Sequence, residues 1–122
     1  MAKIRLGINN CFAIKRWAEP EEWIKIIKNE LGLNIVQFSF DLLDPNTTEP
    51  TRTIQATAIK EIAQKNDIMI QSTSTGYVAY AMNFLLHPDF GMRLSAVEYL
   101  KNAINLSAML SVESMGGFFG AF

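Results

Sequence analysis

Strand-like and helix-like stretches alternate along the entire chain, and this alternation restricts the fold more than any other feature. "KIRLGINN" (3–10) places Ile4, Leu6 and Ile8 between Lys3, Arg5 and Gly7, the period of two of a strand. "EPEEWIKIIKNELG" (19–32) then turns helical. Pro20 suits a first helical turn, Glu21 and Glu22 complement the helix dipole, and Trp23, Ile26, Ile27 and Leu31 share a face before Gly32 stops it. "LNIVQFSFD" (33–41) is β-branched and aromatic, and "LLDPNTTEP" after it is turn chemistry. Ile54, Ala58, Ile59 and Ile62 mark a second helix over 51–66, and "DIMIQST" (67–73) is a third strand. A long excursion, with a short helix over Tyr77 to Leu86, leads to a helix over 91–110 carrying Leu94, Val97, Leu100 and Ile104. "VESMGG" begins a fourth strand.

The order β-α-β-α-β-α-β predicts an α/β fold, a parallel sheet covered by helices. Two architectures satisfy it. One is a small open, flavodoxin-like sheet. The other is the first half of a (β/α)8 barrel, whose full form needs about 250 residues. The 122 residues are enough for one domain, and they close on "SVESMGGFFGAF", a strand followed by a glycine-rich stretch. An open sheet is expected to finish on a helix or a capped strand, so the sequence favours a single partial barrel domain over 1–122.

Composition narrows the partners. The formal net charge of -1 lacks the basic surplus that nucleic-acid phosphates or acidic membranes require. No apolar run approaches the roughly 18 residues needed to span a bilayer, and the N-terminus has no signal-peptide core. Cys11 is the only cysteine, which fits a reducing, cytoplasmic setting. The 49% hydrophobic share is high for so small a domain and predicts apolar surface that meets a second copy or a missing C-terminal half.

Two long stretches carry a resemblance. "GINNCFAIKRWAEPEEWIKII…ELGLNIVQFSFDLLDP" and "TSTGYVAYAMNFLLHPDFGMR" resemble the start of bacterial sugar-phosphate isomerase/epimerase proteins of the xylose-isomerase-like TIM-barrel superfamily, nearest to the tetrulose (erythrulose) phosphate group. The resemblance covers the whole chain and about the first half of a family member. It implies a sugar or sugar-phosphate substrate and proton transfer beside a carbonyl. It also implies a divalent metal, Mn²⁺, Mg²⁺ or Co²⁺, held by carboxylates and a histidine that come mainly from strands beyond the fourth. This chain is therefore expected to hold neither the metal nor the acid/base pair and to be inactive alone. Phe118 stands where the family tends to place a histidine. The alternative reading is a non-catalytic half barrel that pairs with a second copy to close its sheet.

In a βα barrel, polar residues at the carboxyl ends of strands point into the pocket. Asn9 and Asn10 end the first strand, where their amides either bind sugar hydroxyls or shape a turn. Lys15 and Arg16, in the first loop, either bind phosphate or form a solvated pair. Gln37, Ser39 and Asp41 share a strand face by period two, with Asp41 a pocket residue or the start of the next turn. Ser72, Thr73, Ser74 and Thr75 offer hydroxyls in a long loop, and Tyr80 and Asn83 are placed on one face of the short helix. The substrate-binding candidates are Asn9, Asn10, Lys15, Gln37, Asp41, Ser74, Thr75, Tyr80 and Asn83. His87 and Cys11 lack catalytic partners in sequence and are expected to be structural. Trp17, Trp23, Phe118, Phe119 and Phe122 are expected in core or interface.

Overall fold

The computed structural model describes residues 3–120. Its centre is a four-stranded sheet in the order β1 (Ile8–Asn9), β2 (Ile35–Ser39), β3 (Met69–Ser74) and β4 (Met115–Gly116), with every neighbouring pair parallel. Helix α1 (Pro20–Lys25) joins β1 to β2, α2 (Thr51–Lys65) joins β2 to β3, and α3 (Gly76–Ala81) and α4 (Phe90–Met109) join β3 to β4. Consecutive parallel strands in sequential order, each reached through a helix, make a half barrel rather than an open sheet with a switch point.

The strands are shorter than their sequence patterns. Residues 3–7 continue the pattern of β1 in sequence but join no strand ladder among the described residues, where only Ile8 and Asn9 find partners, in Val36 and Gln37. Between β2 and β3 the register slips: Val36 pairs with Ile70, but Gln37 pairs with Ser72, leaving Gln71 as an extra residue. This bulge turns Ser72 and Ser74 toward the face of Gln37, while Ile70 packs on the core.

The core lies between sheet and helices. Val36 and Phe38 point outward from β2 and are fully buried with Trp23, Ile24 and Ile27. Trp23 and Phe38 sit 6.2 Å apart, and Phe38 meets Phe40 edge-on at 6.3 Å. After α1 the helix widens into a π-type turn over Ile26–Glu30, where the Leu31 N–H reaches back to the Ile26 carbonyl at 3.0 Å. The extra residue rotates Leu31 out of the core, contrary to the simple helical spacing.

Two other helices match the faces that the apolar spacing predicts only in part. Helix α2 buries Ala56, Ile59 and Ala63, packs Ile62 partly against the core and turns Ile54 to solvent. Helix α4 buries Ala96, Tyr99, Ala103 and Leu106 and packs Leu100 partly against the core, leaving Leu94, Val97 and Ile104 exposed. Small residues allow α4 to sit close to the sheet, where the Ser107 hydroxyl meets that of Thr73 at 2.7 Å and donates to or accepts from it. Phe118 and Phe119 are about half exposed, and Phe122 lies outside the described residues.

Candidate functional site

The face of the sheet away from the helices, the inner face of the half barrel, is polar at its carboxyl end. Asn9 Nδ2 donates to Gln37 Oε1 at 2.9 Å and to Ser74 Oγ at 3.3 Å. Gln37 Nε2 donates to Ser72 Oγ at 3.2 Å. Asn9 Oδ1 accepts from the Cys11 N–H at 2.8 Å, capping the 3-10 turn Asn10–Ala13, and this fixes which way the amide points. Both Asn9 amide protons are thereby used. Gln37 keeps one N–H, and Ser72 and Ser74 keep their hydroxyl protons, for something outside the row. Asn9, Gln37 and Ser72 border an open cavity of about 540 Å³, together with Lys3, Arg5 and Gln71.

Asp41 lies just beyond β2 and braces the next loop. Its Oδ2 accepts from the Ser39 hydroxyl at 2.8 Å, and its two oxygens accept from the Tyr77 N–H at 2.8 and 3.1 Å. Gly76 makes this approach feasible: its φ is +75°, and a Cβ there would stand 2.7 Å from the carboxylate. Asp41 thus positions α3. Asp41→Ala is expected to lose about 1.5 kcal/mol, the low end for a partly exposed charged hydrogen bond. Urea unfolding with amide exchange at Tyr77 checks it; unchanged stability and unchanged Tyr77 protection would refute the brace.

Thr75 is the junction between the loops after β3 and β4. It is buried, its N–H donates to the Gly116 carbonyl at 3.2 Å, and its Oγ1 accepts from the Phe118 N–H at 2.8 Å. Its carbonyl accepts from the Tyr99 hydroxyl at 3.1 Å. Burial first, then the nearby charges of Asp44 and Asp41, pushes the Tyr99 phenol up to about 12, so it stays a neutral donor. The clip carries Phe118 onto Tyr80, with ring centroids 4.9 Å apart, and Tyr77 stands 6.0 Å from Tyr80.

The nine candidates therefore separate. Asn9, Gln37 and Ser74 come together on the inner face, and Tyr80 stands on the half-exposed aromatic rim. Asn10 faces the interior instead: it is 0% exposed, and its Oδ1 accepts from the Ser39 N–H at 2.8 Å, so its amide cannot meet a ligand in this conformation. Thr75 and Asp41 spend their polar atoms on the loops. Lys15 is exposed after the 3-10 turn and does not line the cavity beside the row.

Tyr80 and Asn83 do not share a helix face, because α3 ends at Ala81 and Met82 is extended. Asn83 lines a separate side cavity of about 330 Å³, mostly apolar, with Phe84, His87 and Tyr99. His87 Nδ1 accepts from the Asp89 N–H at 3.0 Å within a turn. Ser72, a loop hydroxyl by sequence, lies in β3 and reaches the cavity beside the row because the bulge shifts its register, and Gln71, the extra residue of the bulge, lines that cavity too and is not expected there from the sequence.

Among the described residues, no three His, Cys, Asp or Glu side chains gather as a metal site. The inner row offers amides and hydroxyls, and neither type alone suits the carboxylate-rich demands of Mg²⁺ or Mn²⁺. These residues do not fit the ligand set that the resemblance implies.

Comparison with known proteins agrees with this geometry. A solved structure from Rhodospirillum rubrum, described as a candidate xylose isomerase, superposes with a TM-score of 0.91 and 34% identity over 98% of this chain and 40% of that one. The chain has the fold of half a xylose-isomerase-like barrel. This half barrel is also 24% identical over 119 residues to D-erythrulose 1-phosphate 3-epimerase of Brucella abortus, covering 98% of its own length and 38% of that protein. It thus spans about two fifths of the length of the relatives it matches. No family model matches it. Among the described residues, no helix is long and apolar enough to cross a membrane.

Proposed function

We propose that this half barrel supplies the substrate-orienting side of a sugar-phosphate isomerase/epimerase site. The carrying observation is the hydrogen-bonded row of Asn9, Gln37, Ser72 and Ser74, which runs from the middle of β2 to the carboxyl ends of β1 and β3, the end at which barrels of this kind bind substrate. The relationship to an epimerase of a ketotetrose phosphate points the row toward a short phosphorylated ketose.

In that reaction a base removes a proton beside a carbonyl, and a new proton returns to a neighbouring atom or to the other face. This chain's part is to hold hydroxyls. The remaining Gln37 N–H donates to a sugar oxygen, and the Ser72 and Ser74 hydroxyls donate or accept as the sugar requires. Asn9 does not touch the sugar; it orients Gln37. The exposed Tyr77–Tyr80–Phe118 rim screens the reacting carbons from water on one side. The acid/base groups and the metal belong to residues outside this set, and the chain alone is proposed to bind without turnover.

Titration of the isotope-labelled chain with erythrulose 1-phosphate is expected to shift the side-chain amide signals of Gln37 and leave those of surface Gln55 in place. Gln37→Ala is expected to weaken binding about ten-fold, the loss of one to two hydrogen bonds. No Gln37 shift at millimolar ketose phosphate would sink this reading.

A further inference from the structure

The side cavity behind α3 shares no residue with the inner row. It holds about 330 Å³, at the small end of the roughly 300–1,000 Å³ of small-molecule sites, and is too small for a helix about 10–12 Å across. The loop after β2, α3 with the turn that follows it, and α4 wall it, and its lining residues lie between positions 44 and 99. Val78, Met82, Phe84, Met92 and Ala96 make that lining mostly apolar, and the two methionines let it adapt to the shape of an occupant. Phe84 meets Tyr99 edge-on at 5.1 Å and is held at φ +49°, a conformation costly for an aromatic residue and one that gathers at ligand sites.

The cavity has one sign of charge. Exposed Asp44 stands at its mouth, and no Lys or Arg among the described residues lines it. The Asp44 Oδ1 accepts from the Asn46 N–H at 2.8 Å, and Oδ2 accepts from no group among the described residues. Arg93, on α4, spends its Nη1 on the carbonyls of His87 and Pro88 and lines no part of the cavity. The His87 Nδ1 accepts from the Asp89 N–H, so the ring in this bond is neutral with its proton on Nε2. Burial, and then the charge of Asp44, keeps the Tyr99 phenol protonated, so no second anion forms there.

We infer that this cavity is a second binding site, for a small primary amine with an aromatic or branched apolar body, and that its occupant braces α3 from behind. The body fills the apolar lining, and the ammonium meets the free Asp44 oxygen at the mouth. Helix α3 has six residues and no side-chain cap at its start. Asp41 holds its first turn through the Tyr77 N–H, and three-residue spacing puts Val78 and Ala81 on the cavity side and Tyr77 and Tyr80 on the rim. An occupant therefore packs against the back of the segment that carries the rim. The inference is independent of the sugar reading, because neither Gln37 nor Ser72 borders this cavity.

The probes are phenethylamine and hydrocinnamate, which carry the same ring on opposite charges, titrated in low salt into the isotope-labelled chain. The amine is expected to shift the methyl signals of Val78, Met82 and Met92 and to bind about five-fold or more tightly than the acid, with salt narrowing the gap. Amide exchange at Tyr77 and Tyr80 is expected to slow several-fold on saturation. Asp44→Asn keeps an oxygen for the Asn46 N–H and is expected to lose the preference for the amine. Ser95→Phe, from α4, fills the cavity and is expected to abolish the shifts. Asp44 and Ser95 are exposed, so both variants are expected to keep their fold by circular dichroism. No shift at millimolar amine, equal affinity for the two probes, a preference that survives Asp44→Asn, or amine shifts that persist in Ser95→Phe or gather at Gln37 would each overturn the site. Unchanged exchange at Tyr77 with the amine bound would overturn the brace.

Discussion

Replacing Trp23 with alanine is expected to cost about 3–5 kcal/mol, the range for truncating a large buried aromatic. Trp23 is 0% exposed, the largest side chain buried so completely, and sits at the meeting of α1 with the outer face of β2. Its ring contacts Phe38, which in turn reaches Phe40, so one deletion opens the packing along the strand that carries Gln37 and Ser39. A domain of this size has a total stability of about 5–15 kcal/mol, and an uncovered half barrel is expected near the low end of that range. The variant should therefore be largely unfolded at room temperature or melt far below the wild type. Circular dichroism melts and urea titrations measure it. A loss under about 1 kcal/mol would mean that the site collapses around the missing ring or that α1 is not docked as described.

That packing was legible in the sequence because it follows strand and helix periods. The alternation of Val36 and Phe38 with Gln37 and Ser39 assigns the two faces of β2 before any coordinates are known. Helix α4 shows where such reading stops. It is apolar on more than one side, so spacing alone chooses Leu94, Val97, Leu100 and Ile104 as the packed face, and of these Leu100 packs, partly buried, against the core. The sheet instead takes Ala96, Tyr99 and Ala103, because close approach needs small residues and Ser107 needs the Thr73 hydroxyl.

The candidate site divides in the same way. Asn9 and Ser74 follow from strand-end position, and Gln37 from the period of two along β2. Asn10 and Asn9 are indistinguishable in sequence, yet one amide points into the open face and the other is sealed against Ser39. The bulge at Gln71 leaves no signature in a run of Gln, Ser and Thr, whose side chains tolerate either face. Thr75 reads as a loop hydroxyl, but burial and three hydrogen bonds make it the joint between two loops.

Gly117→Ala tests that joint and is expected to cost at least about 2 kcal/mol, from backbone strain and a lost hydrogen bond together. Gly117 has φ +134°, a conformation that side chains other than glycine's rarely adopt. A methyl there would overlap Thr75 Oγ1 and come within 2.8 Å of the Thr75 nitrogen, so relief requires moving buried backbone rather than a flexible side-chain end. The Phe118 N–H would then lose its hold on Thr75, and Phe118 would leave Tyr80. Gly116→Ala is the internal control: nothing lies within 4 Å of its would-be Cβ and its φ is not in the left-handed region, so it should stay within about 0.5 kcal/mol of wild type. Urea unfolding separates the two variants, and amide exchange at Phe118 with ring contacts between Phe118 and Tyr80 reports whether the loop has detached. Equal behaviour of the two alanine variants would show that the glycine pair is a passive tail. Loss confined to Gly117 would show that the aromatic rim is held in place by one buried threonine, and therefore that its position is built into the half barrel itself.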